Sequence, residues 1–154
     1  MNLTHIVRNV FVPRQKQLER YDDAAIALQH DVLMRLVAQG ANTEYGRKVQ
    51  MNRVATYDDF AKLVPVNSYE ELKADIDRMR HGESNVLWPG RVRFFAKSSG
   101  TTNDKSKFIP VSGDGLQNIH YKGGEDVVAF YLRNHPESRL FDGRSLILGG
   151  SHSP

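Results

Sequence analysis

At 154 residues, with 40% hydrophobic and 25% charged side chains, the chain is long enough to bury one core, and a single domain is the expectation. The formal charge of +3 is mild and spread among interleaved acids and bases, too diffuse for a nucleic-acid footprint. There is no cysteine, which excludes disulfides and thiolate metal sites and fits a reducing, cytoplasmic setting.

The opening stretch, Met1 to Pro13, has neither a basic start nor an unbroken apolar run, so no secretory signal is read there. No other run is long and apolar enough to span a bilayer, and a soluble chain with no membrane partner is expected. From Leu18 to Gln39, the residues Leu18, Tyr21, Ala25, Leu28, Val32 and Leu36 recur three or four apart, the spacing of one buried helix face, and Gly40 supplies a stop. Thr56 with Asp59, and Ser68 with Glu71, have capping-box spacing and open two further helices. The second of these should turn Tyr69, Leu72, Ile76 and Met79 inward.

Trp88-Pro89-Gly90 is a turn signal, followed by a short alternating strand, Arg91 to Lys97, in which Phe94-Phe95 should anchor the core. A polar stretch from Ser98 to Ser106 leads into a second strand, Lys107 to Val111, which Pro110 confines to an edge or a strand end. Ser112 should cap a helix from about Gly113 to Arg133, with Leu116, Ile119, Val127, Phe130 and Tyr131 as its apolar set, weakened at Gly123-Gly124. After a turn at Phe141-Asp142-Gly143, Ser145 to Leu148 reads as a third strand running into a glycine-serine loop. A strand so placed normally continues into its sheet, so the expectation is an incomplete α/β domain: a mainly helical lead-in over 1–88, then strand, loop, strand, helix and strand over 89–154.

The stretch Ser98-Ser99-Gly100-Thr101-Thr102-Asn103-Asp104-Lys105-Ser106-Lys107 places four hydroxyls before Asn103, a glycine and two lysines together after a strand. Hydroxyls and backbone amides donate to phosphate oxygens, glycine permits close approach of the backbone, and lysine brings a point charge. The competing reading is a solvated hairpin turn, which favours the same residue types. Yet a hairpin needs only about two to five linking residues. The Walker pattern fails, because counting from Gly100 the second glycine position is Lys105 and the lysine position is Ser106.

These residues resemble the auxin-responsive Gretchen Hagen family of acyl-acid amido synthetases, within the adenylate-forming superfamily. Its first nucleotide motif, Ser-Ser-Gly-Thr-Ser/Thr followed by Lys, is matched by Ser98, Ser99, Gly100, Thr101, Thr102 and Lys107. Thr43-Glu44-Tyr45-Gly46-Arg47, Asp59-Phe60, Val64-Pro65-Val66, Ser68-Tyr69, Gly82-Glu83 and Phe108-Ile109-Pro110 extend the likeness over most of the chain. Two departures stand out: Asn103-Asp104 occupy a place where family members often carry glycine, and the later nucleotide motifs and C-terminal domain have no counterpart before Pro154.

The resemblance implies a reaction in which a small carboxylic acid attacks Mg²⁺-bound ATP to form an acyl-adenylate, and an amine or amino acid then displaces AMP. It implies that Ser98, Ser99, Thr101 and Thr102 donate to the phosphates, that Gly100 gives clearance and that Lys107 neutralises charge; the alternative for Lys107 is a solvent-directed strand residue. By itself the 154-residue segment is expected to be inactive, and a non-catalytic nucleotide-binding module, or one that self-associates through open sheet edges, is the alternative. His120 and Tyr121 fall on the helix that lines the acyl pocket in the family, against a purely structural role. The remaining histidines, His5, His30, His81, His135 and His152, lack metal-ligand spacing. Asp22-Asp23 and Asp58-Asp59 read as helix-start charges. Lys97, Lys105, Lys107 and Lys122 lack the aromatic interleaving of a single-strand nucleic-acid binder.

Overall fold

A computed structural model describes residues 3–98, 106–144 and 146, except for the side chains of Val12 and Asp22. The chain groups into two compact units, one formed by Met1–Arg20 with Lys122–Pro154 and the other by Tyr21–Tyr121. No described helix is long and apolar enough to cross a membrane. The described elements form an α/β fold, mainly helical at the start and carrying a small antiparallel sheet later, in keeping with the class read from sequence.

In the first unit, α1 (Leu3–Glu19) packs on α7 (Lys122–Asn134). α1 fits the expected mainly helical lead-in, although no local signal singled out a helix over residues 3–17, and the reason is tertiary. α1 contains Pro13, which removes a backbone donor, and its contacts come from residues more than a hundred positions away. Arg14 makes a two-pronged ion pair with Asp126 at 2.6 and 2.7 Å, and Gln15 donates to the Ala129 carbonyl at 3.0 Å. At the start of α1, the buried Thr4 accepts from the Phe141 amide at 3.0 Å, while its own amide donates to Asp142 at 3.3 Å. The predicted Phe141–Gly143 turn therefore caps the first helix.

The α7 face that meets α1 is Asp126, Ala129 and Leu132, the last two buried. This corrects the predicted apolar set, of which Val127 is 70% exposed and Phe130 and Tyr131 are also exposed. Small Ala129 permits the close approach that a bulky neighbour would obstruct. Gly123 and Gly124 sit in α-helical turns with negative φ and open space where a Cβ would go. Gly124→Ala is therefore expected to stabilise the chain by about 0.5–1 kcal/mol, read as a higher midpoint in urea unfolding; a lower midpoint would show that the open space is used.

The second unit begins with α2 (Tyr21–Gly40), so the helix read from Leu18 is broken at Arg20. Its predicted inward face is also revised. Tyr21, Ala25 and Val32 are exposed and line an apolar groove with Leu28, whereas Val37 and Gly40 near the C-terminus are buried. Apolar spacing marks a face able to be buried; within this unit an apolar residue that meets the helix is Met51, in a 3₁₀ turn (Met51–Arg53) beside Gly40, near the C-terminal end.

Local signals behave as their chemistry requires. In α4 (Tyr57–Leu63), Thr56 accepts from the Asp59 amide at 3.1 Å and its own amide donates to the Asp59 carboxylate at 2.9 Å. In α5 (Tyr69–Arg80), the Ser68 amide donates to Glu71 at 2.6 Å and the Ser68 hydroxyl accepts in return. Both are complete capping boxes. Ile76 and Met79 are buried and Tyr69 and Leu72 half-buried, so the predicted inner face of α5 is the observed one.

Met79, Val86 and Val92 form the core beneath Leu87, Trp88 and Phe95. The Trp88–Gly90 turn is closed by Asn85, whose side chain accepts from the Gly90 amide at 2.7 Å and whose amide donates to the Gly90 carbonyl at 3.0 Å. β1 (Phe94–Lys97) and β2 (Phe108–Val111) pair antiparallel, Phe95 opposite Pro110 and Lys97 opposite Phe108. Of the two phenylalanines expected in the core, Phe95 packs there but Phe94, on the opposite face, is 58% exposed.

Ser112 caps α6 (Gly113–Gly115), as predicted, by accepting from the Gly115 amide at 2.9 Å. A π-helical stretch, Leu116–Tyr121, follows, so the irregularity in this region lies before Gly123-Gly124 rather than at it. Asp114 accepts from Arg35 at 2.9 Å and from Asn118 at 2.8 Å, one turn into that stretch. Ile119, expected inward, is 73% exposed. The predicted strand from Ser145 to Leu148 lies largely outside the described residues.

α3 (Glu44–Lys48) is tied to α5 by Arg78, which reaches Glu44 at 2.6 Å, Asp75 at 3.0 Å and also Glu83. Hydrogen bonds from Arg78 hold the Glu44 and Glu83 carboxyls below the usual carboxylate range, and those carboxylates raise Arg78 in turn. The Thr56 and Ser68 caps lower Asp59 and Glu71 likewise. Depressed native values stabilise the fold fully above the unfolded-chain values of about 4, and the effect is lost as pH falls through the lower native ones. Urea midpoints should therefore hold steady from about pH 7 to 5 and fall below about pH 4. Arg78→Met should flatten that fall; an unchanged acid profile would show the network contributes nothing.

Candidate functional site

The capping box at Ser68 fixes where α5 begins and so places Tyr69 as its first residue. From there the half-buried Tyr69 hydroxyl accepts the Phe108 amide at 3.1 Å, and the Lys107 ammonium lies 5.5 Å from the centre of the Tyr69 ring. At the other end of α5, the Arg80 guanidinium sits 3.7 Å from the centre of the Phe108 ring. The start of β2 is thus held against α5 by two aromatic–cation contacts, one from each end of the helix.

Ser98 and Lys107 close the base of the proposed phosphate loop. The Ser98 amide donates to the Lys107 carbonyl at 2.9 Å, and the Lys107 amide donates to the Ser98 hydroxyl oxygen, also at 2.9 Å. A hydroxyl carries one donor as well as acceptor lone pairs, so accepting from Lys107 does not use up the Ser98 proton. Lys107 is half-buried and its ammonium faces an aromatic ring, which differs from the solvent-directed alternative. The hairpin therefore brings two of the six predicted site residues together. Ser99, Gly100, Thr101 and Thr102 lie outside the described residues, as does Asp104.

Sequence reasoning gave Tyr69 and Arg80 no part at this site. Tyr69 was legible only as an inward residue after a cap, and nothing in local spacing announces a contact across 38 positions to Lys107. His120 and Tyr121 fall on the π-helical stretch with ring centres 5.5 Å apart, both exposed to solvent. Asp59 acts as a cap, as expected, and Asp58 and Asp23 are exposed.

Outside the loop, the residues that carry the family likeness have structural tasks. Buried Thr43 donates to the Gly40 carbonyl at 2.7 Å and accepts from the Gly46 amide at 2.9 Å. The amides of Glu44 and Tyr45 donate to the carbonyls of Asn85 and Val86 at 2.8 and 3.0 Å, and the Tyr45 hydroxyl accepts from Asn67 at 2.7 Å. Gly82 takes a φ of +94°, which only glycine adopts freely, and lets Glu83 turn back to Arg78.

The family description "GH3 family N-terminal domain" matches residues 14–153. Among relatives from Arabidopsis thaliana, indole-3-acetic acid-amido synthetase GH3.15 is 33% identical over 122 residues, 78% of this chain and 20% of the relative. The 4-substituted benzoates-glutamate ligase GH3.12 is 30% identical over 108 residues, 70% of this chain and 19% of the relative. Indole-3-acetic acid-amido synthetase GH3.4 is 34% identical over 85 residues, 54% of this chain and 14% of the relative. The chain thus spans no more than about a fifth of the length of these relatives. With 140 consecutive positions matched and the Ser98–Lys107 hairpin in place, the chain belongs to the GH3 family, over its N-terminal domain.

Proposed function

We propose that the chain is the N-terminal part of an ATP-dependent acyl-acid amido synthetase, contributing the loop that holds the nucleotide phosphates. The observation that carries this reading is the closed base at Ser98 and Lys107, with a half-buried lysine set against an aromatic ring at the mouth of a hydroxyl-rich loop. One relative is named as an indole-3-acetic acid-amido synthetase and another as a 4-substituted benzoates-glutamate ligase, which supports a small carboxylic acid and an amino acid or other amine as the substrate classes.

In the proposed first step, a carboxylate oxygen attacks the α-phosphorus of ATP, the bond to the bridging oxygen breaks, and pyrophosphate leaves. An amine nitrogen then attacks the acyl carbon, loses a proton and expels AMP. Ser98, with Ser99, Thr101 and Thr102, would donate hydrogen bonds to the phosphate oxygens, Gly100 would give the backbone clearance, and Lys107 would neutralise charge growing on the leaving pyrophosphate. Mg²⁺ arrives with the triphosphate and supplies further neutralisation. Among the described residues the Lys107 ammonium faces Tyr69 and is in no ion pair, which suits a group meant for an incoming anion.

Acid-dependent exchange of labelled pyrophosphate into ATP tests the proposal in the protein at its natural full length, across a panel of aryl and alkyl carboxylic acids. Exchange that requires an acid supports the synthetase. MgATP binding without exchange would favour the non-catalytic nucleotide module, and neither would overturn the phosphate-loop reading.

A further inference from the structure

Resting on that reading, we propose that Tyr69 is a positioning residue for the phosphate loop, setting Lys107 through its ring and the start of β2 through its hydroxyl. Three observations meet at this side chain. The reciprocal Ser68–Glu71 bonds at 2.6 and 3.4 Å fix the first turn of α5, so Tyr69 leaves the helix from a defined point. Its hydroxyl accepts the Phe108 amide at 3.1 Å, which sets where β2 begins relative to α5. Its ring lies 5.5 Å from the Lys107 ammonium, which limits the directions that the charge takes.

The logic is one of restricted freedom. A lysine carries four rotatable bonds and strongly hydrated charge, so an unconstrained one spends most of its time away from any single anion position. The backbone of Lys107 is already held by Ser98 on one side and by the Phe108–Tyr69 bond on the other. With the ammonium guided over the ring, the whole residue is preorganised before nucleotide arrives, and less ordering remains for binding to supply. Arg80, at the far end of α5, meets the same first residue of the strand, its guanidinium stacked on Phe108 at 3.7 Å and also ion-paired with Asp77 at 3.0 Å. That contact braces the strand and leaves Tyr69 as the group that reaches Lys107.

A double-mutant cycle on MgATP affinity, measured by calorimetry in the protein at its natural full length, separates positioning from general support. Tyr69→Leu is expected to weaken MgATP about five-fold with Lys107 present. It should change affinity by less than about 1.5-fold in the Lys107→Ala background, because the effect passes through that lysine. Equal losses in both backgrounds would mean that Tyr69 only stabilises the fold, and would overturn the proposal. No loss with Tyr69→Leu, while Lys107→Ala does weaken binding, would also overturn it and leave the phosphate reading standing. No loss with Lys107→Ala would sink the phosphate reading, and the Tyr69 proposal with it. Tyr69→Phe runs the same cycle on the hydroxyl alone with the ring kept, so the test survives even if the leucine variant does not fold; about a two-fold loss, again only with Lys107 present, is expected.

Discussion

Lys107→Ala is expected to slow acid-dependent ATP–pyrophosphate exchange by about 10²–10³-fold in the protein at its natural full length, the scale of losing one preorganised charge-stabilising donor. The substitution removes the ammonium and its contact with Tyr69 but keeps the Lys107 amide, which still donates to Ser98 at 2.9 Å. The base of the hairpin therefore stays closed and the loss reports on charge rather than on loop collapse. Lys107→Arg should recover only part of the rate, since a planar fork does not replace a compact ammonium at a site shaped for one. Exchange unchanged by Lys107→Ala would remove the lysine from the chemistry.

Gly46→Ala is expected to destabilise the chain by about 3 kcal/mol or more, seen as a large drop in urea midpoint at constant slope. A Cβ at Gly46 would lie 2.1 Å from the Gly40 carbonyl oxygen and 3.0 Å from the Thr43 hydroxyl. The first of these is backbone, so no side-chain rotation relieves it. Relief requires the end of α2 to move away from α3, which breaks the bonds that Thr43 makes to both, at 2.7 and 2.9 Å. Each of those groups is buried, and a buried donor left unpaired carries its full desolvation cost. A midpoint within experimental error of the parent would show that the turn from Gly40 to Gly46 yields freely.

These two residues separate two kinds of likeness to the family. Gly46, with Thr43, Glu44 and Tyr45, builds the scaffold, pairing its amides with Thr43, Asn85 and Val86. Lys107 and Ser98 stand at the loop, where hydroxyl and ammonium are more numerous than a turn requires. A change in the first group is read in stability, whereas a change in the second is read in exchange.

By itself the sequence determined those features in which cause and effect lie within a few residues. The boxes at Thr56–Asp59 and Ser68–Glu71 form as their three-residue spacing requires, Ser112 caps its helix, Trp88 to Gly90 falls in a turn, and a short strand stands on either side of the polar loop. In each, short-range hydrogen bonds satisfy orphan backbone groups whatever the distant chain does. The inner face of α5 was legible for a related reason, since Ile76 and Met79 share it with a nearby core of Val86 and Val92.

Only the tertiary structure decided which apolar faces are buried and which cations meet which rings. α1 forms despite Pro13 because Asp126 and Ala129 receive Arg14 and Gln15, and α7 turns Ala129 inward in place of Val127 because α1 lies there. The N-terminal half of α2 has the right spacing for burial yet stays exposed, since within its unit Met51 meets only its C-terminal end. Tyr69 meets Lys107 because α5 and β2 lie side by side. Periodicity encodes what a helix or strand is able to bury, but a partner from elsewhere in the chain selects what it does bury, and that partner's position is a property of the folded whole.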